Sequence, residues 1–85
     1  MKTFDYTITD PLGIHARPAG MIAAEAKKYS AQIIVAKGGK SADARRLFAL
    51  MGLSAKEGDT LTVTCIGEDE EAAADAIRTL LEKNL

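Results

Sequence analysis

Two short segments of this chain, residues 2–9 and residues 60–66, alternate apolar and polar residues. The apolar positions are Phe4, Tyr6 and Ile8 in the first segment and Leu61, Val63 and Cys65 in the second. A period of two places every apolar side chain of a strand on the same face. Strands buried on both faces would be continuous apolar runs instead. The alternation therefore predicts a sheet with one covered face and one open face.

Two helical segments can cover such a sheet. A first helix is predicted from Ala16 to Tyr29 by one apolar stripe at helical spacing: Ala19, Ile22, Ala23 and Ala26. Pro18 fits this helix only in its first turn. A last helix is predicted after Gly67, beginning with the acidic run at 68–71, and its stripe consists of Ala73, Ile77, Leu80, Leu81 and Asn84. Acidic residues at that end suit the helix macrodipole.

The middle of the chain predicts a hairpin and a short helix. Residues 32–37 are rich in β-branched residues, and Gly38-Gly39 indicates a type I′ turn with φ > 0 at both glycines. A return strand over 40–44 and a short helix over 46–53 follow. The resulting order is βαββαβα. It predicts an α+β, two-layer fold, an antiparallel sheet with the helices on one face.

Size and composition limit the possible functions. With 85 residues, the chain is predicted to form a single domain, residues 1–85, with a modest core and no large enclosed active site. One cysteine, Cys65, excludes an internal disulfide, and its place in a strand predicts a small buried hydrophobe rather than a reactive thiol. No apolar run approaches the ~20 residues of a membrane span. We expect a cytoplasmic monomer that is not inserted in a membrane and binds no cofactor or metal.

The charges are divided between the two halves of the chain. Residues 1–46 carry 8 Lys and Arg against 4 Asp and Glu, and residues 47–85 carry 3 against 8. The basic half suits an acidic partner or a phosphate. A basic half also raises another possible class of function, a nucleic-acid-binding α+β domain. It is disfavoured because the net charge is -1 and no aromatic residues lie among the basic ones.

His15, the only histidine, directly precedes the first helix. A helix N-terminus offers unpaired N–H groups and partial positive charge to an anion, and the nitrogen of a neutral imidazole can attack a phosphoryl group. Arg17 would add a cation for phosphate oxygens. The combination indicates reversible phosphoryl transfer to a histidine nitrogen. Considered alone, His-x-Arg is a weak pattern, and it favours a solvent-exposed loop histidine without a role.

The surrounding string decides between these interpretations. Residues 13–19, GIHARPA, resemble the phosphorylation-site signature of the HPr family, the phosphocarriers of the bacterial phosphoenolpyruvate:sugar phosphotransferase system. The similarity covers the whole chain in register, through its length, its element order, the Gly39-Lys40-Ser41 segment, Arg45 and Gly67.

The resemblance implies an open-faced β-sandwich of four antiparallel strands and three helices. It also implies that His15 accepts phosphate from phosphorylated enzyme I and passes it to the IIA domain of a sugar permease. Arg17 matches the family's phosphate-stabilising arginine, and Pro18 matches the proline that opens the helix. The chain is then a phosphoryl carrier rather than an enzyme. A regulatory binding module with the same fold remains the alternative function.

The short middle helix is apolar nearly all round, whereas a surface helix should be apolar on one stripe. We therefore expect partial exposure and a docking patch for enzyme I and IIA domains. The predicted patch consists of Leu47, Phe48 and Met51 together with Gly20, Ala24 and Lys27 of the first helix. The alternative is a fully buried helix.

Arg46 departs from the family pattern. Many family members carry at this position a serine that a dedicated kinase phosphorylates, and arginine cannot take that modification. Ser41 and Ser54 lie nearby in sequence but not at the matching position. A cation is also a poor helix cap, so the unpaired N–H groups of the middle helix need water or another acceptor, for which Asp43 is a candidate. Kinase regulation is therefore in doubt, while the carrier function is unaffected.

Overall fold

A computed structural model describes residues 1–85. In chain order its elements are β1 (Lys2–Thr7), α1 (Ala16–Ala26), β2 (Gln32–Lys37), β3 (Lys40–Asp43), α2 (Leu47–Met51), β4 (Thr60–Ile66) and α3 (Glu70–Asn84). This is the predicted βαββαβα order. The longest helix, α3, has 15 residues, and no helix combines the length and apolar character that a membrane span requires.

The four strands form one antiparallel sheet in the order β1-β4-β2-β3. The last strand in sequence, β4, lies between β1 and β2. In this register Val63 of β4 faces both Phe4 of β1 and Val35 of β2. These apolar neighbours point to the covered face, while hydroxyl pairs such as Thr7 and Thr60, 3.0 Å apart, occupy the open one. The sheet is therefore covered on one side, as the alternation predicts.

The core lies between the covered face of the sheet and the helices. Every predicted inward position of the two alternating strands is buried except Tyr6, which is half-buried. The whole predicted stripe of α1 is buried, and α3 buries Ala73, Ala74, Ile77 and Leu81 while leaving Leu80 and Asn84 half-buried. Cys65 has no exposed surface, and burial, followed by the charges of Glu70 and Asp69, raises the pKa of its thiol. The thiol is a core group, as predicted.

Two predicted elements are longer than those observed. The helix α1 ends at Ala26 rather than Tyr29, because the N–H groups of Lys28 and Tyr29 bond to carbonyls three residues back, in a tighter turn. Strand β1 ends at Thr7 rather than Thr9, because the Thr9 N–H turns away to the carbonyl of Leu85. The first difference is a local tightening of the last helical turn, and the second arises where the end of the strand meets Leu85.

The remaining boundaries shift by one to a few residues. The return strand stops at Asp43, although the Ala44 N–H still bonds to the Ile33 carbonyl at 2.9 Å. The middle helix is shorter than 46–53, since Arg46 and Gly52 are its flanking caps.

The hairpin between β2 and β3 differs from the predicted turn type. Gly38 has φ +58°, but Gly39 does not lie in the left-handed region. A single left-handed glycine at the first central position fits a type II′ turn, whereas type I′ needs two. The prediction of type I′ was wrong because a Gly-Gly pair is compatible with both turns.

Gly67 allows β4 to approach the loop before β2. A Cβ on Gly67 would lie 2.7 Å from the Cα of Ala31, and its φ is +152°. No larger residue fits this backbone without a shift. The sequence break predicted at Gly67 therefore marks a close contact of two backbones as well as the end of a strand.

Candidate functional site

The loop that carries His15 is fixed by its contact with residue 55. The Ile14 N–H donates to the Ala55 carbonyl at 3.0 Å, and the Ile14 side chain is buried. Gly13 has φ +64°, and a side chain there would collide with the same carbonyl. Glycine is thus required on both conformational and steric grounds. The backbone entering the site is held by main-chain contacts.

His15 is the N-cap residue of α1 and is half-buried. Its backbone is extended, and its imidazole forms no capping hydrogen bond with the helix. The Ala19 N–H donates to the His15 carbonyl at 3.0 Å and closes the first helical turn. The N–H groups of Ala16 and Arg17 therefore have no acceptor inside the helix, and Pro18 has no N–H to satisfy. This helix end is a positive site with a histidine at its edge.

The charges around this helix end are those an anion requires. The first turn of α1 contains no acidic residue. Arg17 is exposed, and its guanidinium forms no ion pair with the chain. Its fork of donors is thus available to phosphate oxygens. Pro18 is buried in the first turn and fixes the backbone there.

His15 borders a cleft of about 260 Å³. The cleft is lined by Asp10, His15, Arg17, Pro18, Met21, Lys83 and Asn84. Only three of these, His15, Arg17 and Pro18, were predicted from the sequence as parts of the site. The others come from the loop after β1, the outer side of α1 and the last turn of α3.

The end of α3 reaches the cleft because it is bonded to the loop after β1. The N–H groups of Thr9 and Asp10 donate to the Leu85 carbonyl at 2.6 and 2.8 Å. The Asn84 amide donates back to the Leu80 carbonyl at 2.9 Å, and the Asp10 carboxylate accepts the Leu12 N–H at 2.8 Å. Because the bonds of Thr9 and Asp10 to Leu85 join opposite ends of the chain, no local sequence pattern predicts them.

The helix α2 presents an apolar surface next to α1. The Phe48 side chain is 81% exposed and Met51 is 36% exposed, while Leu47 is half-buried and Leu50 is fully buried beneath them. The predicted partial exposure is confirmed, and a fully buried helix is excluded. On the neighbouring α1, Ala24 and Lys27 are exposed and Gly20 is half-buried. We call the six predicted residues the α2 patch: Gly20, Ala24, Lys27, Leu47, Phe48 and Met51.

Arg46 is the N-cap residue of α2, and no side chain caps this helix. The suggestion that Asp43 serves as acceptor for the helix is wrong. The Asp43 carboxylate instead accepts the Arg45 N–H at 2.9 Å, and its carbonyl accepts the Arg46 N–H at 3.0 Å. Arg45 donates from its guanidinium to the Tyr29 carbonyl at 2.8 Å and so ties this loop to the end of α1.

An unbonded imidazole at the positive end of a helix, with a free guanidinium beside it, is typical of a protein that carries a phosphoryl group on histidine. The site is an open cleft in the surface of a small α+β sandwich. Its chemistry is that of a carrier that meets other proteins.

Known proteins agree with this class. Residues 2–83 match the family model described as the PTS HPr component phosphorylation site. The phosphocarrier protein HPr of Mycoplasma genitalium is 42% identical over 99% of this chain and 97% of its own length. A solved mycoplasma structure of the histidine-containing phosphocarrier protein has a TM-score of 0.94 at 32% identity, covering 96% of this chain and 93% of that one.

The chain belongs to the HPr family. It is a phosphocarrier of the phosphotransferase system and exchanges phosphate with other proteins of that system. A similar structure, an HPr dimer from Thermoanaerobacter tengcongensis, is 35% identical with a TM-score of 0.77, over 98% of this chain and 95% of that one.

Proposed function

We propose that His15 accepts a phosphoryl group from phosphorylated enzyme I and passes it to the IIA domain of a sugar permease. The observation that carries the proposal is the position of His15, which is half-buried at the N-terminus of α1 and whose imidazole forms no capping hydrogen bond. We propose further that the carrier acts as a monomer in the cytoplasm, since each transfer needs the same cleft free for a new partner.

In the transfer, the lone pair of the unprotonated ring nitrogen of His15 forms a bond to phosphorus. The bond between phosphorus and the donor atom breaks, and its electron pair returns to the donor. The reverse step delivers the group to the acceptor protein. No other reactant is needed, because the same phosphoryl group leaves one protein and enters the next.

The surroundings of His15 favour the phosphorylated state. The free N–H groups of Ala16 and Arg17 can donate to a phosphoryl group at the helix end, and the Arg17 guanidinium offers a planar fork to its oxygens. The restricted ring of Pro18 holds the first turn in place. These residues act as donors and a rigid frame, while His15 alone forms the covalent bond.

We propose that the α2 patch is the docking surface for both enzyme I and IIA domains. An exposed apolar group beside a reactive residue suits transient partners, and methionine adapts to several of them. Lys27 adds a cation at its edge. One surface can then serve donor and acceptors in turn.

The carrier role is tested by incubating the chain with phosphoenolpyruvate and enzyme I, followed by intact mass measurement. We expect one added phosphoryl group that is lost in acid, as phosphohistidine is, and that moves to a IIA domain when one is added. His15→Ala should take up no phosphate while its unfolding free energy changes by only ~0.5 kcal/mol. Incorporation into His15→Ala at the wild-type rate would overturn the assignment. Phosphorylation without onward transfer would favour the regulatory module.

The docking surface is tested with Phe48→Ala. Because Phe48 is 81% exposed, its loss should leave stability nearly unchanged and weaken binding to both enzyme I and a IIA domain by about tenfold or more. Ile66→Ala is the matched control, since Ile66 is another exposed hydrophobic residue outside the patch. Equal binding by all three proteins in calorimetry would contradict the proposal. Sedimentation velocity at the concentration of the transfer assay tests whether the protein is a monomer.

A further inference from the structure

We propose that Lys83 is a second phosphate-stabilising cation, which acts on phosphohistidine at His15 from the opposite side of the cleft to α1. The inference rests on the proposed function of His15. It adds a residue of the last helical turn to the site, far from His15 in sequence.

Lys83 is placed in the cleft by bonds between the end of α3 and the loop that carries His15. Lys83 and Asn84 line the same 260 Å³ cleft as His15 and Arg17. The bonds of Thr9 and Asp10 to the Leu85 carbonyl, at 2.6 and 2.8 Å, fix the end of α3 against the loop. The Lys83 side chain is therefore attached to a part of the fold that borders the site.

The ammonium group of Lys83 is free. It forms no ion pair, although Glu25 and Asp75 line the neighbouring groove together with it. Glu25 is bonded instead to Lys28 at 3.1 Å. A lysine has a long, flexible stem, so an unpaired one at the edge of a cleft can reach an anion that forms there.

The charge of the cleft supports the same conclusion. Its charged lining residues are two cations, Arg17 and Lys83, and one carboxylate, Asp10. The Asp10 carboxylate is engaged by the Leu12 N–H at 2.8 Å. A phosphoryl group on His15 adds negative charge, and Lys83 then helps to compensate both that charge and Asp10.

A purely structural role for Lys83 makes a different prediction. A cation in the last turn of a helix interacts favourably with the macrodipole. Loss of that interaction would lower the stability of the folded state whether or not His15 is phosphorylated. It would leave unchanged the share of phosphate that the protein holds in competition with wild type.

The test is therefore a competition for phosphate at equilibrium. Equal amounts of wild type and Lys83→Met share limiting phosphoenolpyruvate through catalytic enzyme I, and intact mass gives the phosphorylated fraction of each. We expect wild type to hold about threefold more phosphate, the effect of one exposed charge. Lys83→Arg should match wild type, and Lys83→Glu should hold less phosphate than Lys83→Met.

Lys2→Met is the matched control, because Lys2 lies at the far end of β1 and pairs with Glu71. It should share phosphate equally with wild type. Equal sharing by Lys83→Met and Lys83→Glu as well would overturn the role of Lys83 while leaving His15 as the acceptor. Absence of phosphate on the wild type itself would instead refute the proposed function.

Discussion

The helices α1 and α3 lie in the same layer, yet their N-termini carry opposite charges. The first turn of α1 has no acidic residue and contains Arg17, whereas α3 follows Asp69 and begins with Glu70 and Glu71. A helix N-terminus attracts negative charge in either case. In α3 the chain supplies that charge itself, whereas in α1 no acidic side chain does, which leaves this end open to the phosphoryl group that we propose for His15.

The carboxylates at the start of α3 also hold the fold together. Asp69 does not cap its own helix. It accepts the N–H groups of Ser30 and Ala31 at 2.9 and 2.8 Å, which joins α3 to the loop before β2. Those bonds, that of Ser30 first, lower the pKa of Asp69. The two helices therefore differ in that α3 carries negative charge at its start, which also joins it to the rest of the fold, whereas the start of α1 carries none.

Of the changes at the helix N-termini, removal of the Arg17 cation at the start of α1 is expected to have the largest effect, a loss of transfer rate. Arg17→Ala should cost on the order of 2 kcal/mol of transition-state stabilisation, or about thirtyfold in transfer rate, because a charged hydrogen bond to phosphate is lost. Arg17→Lys should restore only part of the rate, since lysine lacks the planar fork. The measurement is the rate of phosphorylation at fixed enzyme I. Equal rates for Arg, Lys and Ala would remove Arg17 from the mechanism.

Removing the anion at the α3 end should instead affect stability and its pH dependence. The pKa of Asp69 lies below its ordinary value of 3.8 in the folded state, so its ionised form stabilises the fold above that pH. This contribution is lost as pH falls through the lowered pKa. Asp69→Asn should therefore be less stable than wild type at neutral pH, with a difference that shrinks below about pH 4.

Denaturant unfolding across pH 7 to 2.5 measures that difference. A gap between Asp69→Asn and wild type that stays constant over this range would show that the amide loses packing or geometry rather than charge. Phosphate uptake by His15 in Asp69→Asn should be unchanged at neutral pH, because Asp69 lies outside the cleft.

The smallest change in stability is expected at α2, whose start has no side-chain cap. Arg46→Ser should raise the unfolding free energy by about 0.5–1 kcal/mol through a new cap and the loss of an unfavourable cation. Arg46→Ala separates the two causes, since it removes the charge without adding a hydroxyl. A serine variant less stable than wild type would show that Arg46 has stabilising interactions of its own.

The same variant also tests regulation. Incubated with HPr kinase and ATP, Arg46→Ser should gain acid-stable phosphate and wild type none, while phosphate uptake on His15 persists in both. Acid-stable phosphate on wild type, at Ser41 or Ser54, would show that kinase regulation acts at another serine.

The sequence alone predicted the elements and pointed to His15 as the candidate reactive residue. Periods of two and of 3.6 depend only on neighbouring residues, so they identified β1, β4, α1 and α3 and their buried faces. The β-branched run before Gly38-Gly39 and that glycine pair, which are also local signals, identified β2 and β3. The position of His15 ahead of a proline-containing first turn is local too. The apolar excess of the middle helix likewise predicted the exposure of Phe48, because a single sheet face cannot cover every side of it.

Only the tertiary structure decided what lies beside these elements. The sheet places β4 between β1 and β2, and Asp69 accepts hydrogen bonds from the loop before β2. Lys83 reaches the His15 cleft. All three features join residues that are distant in sequence. The end of β1 was also decided by a distant contact, because the Thr9 N–H turns to the Leu85 carbonyl. Such contacts depend on which surfaces pack together, and local periodicity carries no information about that choice.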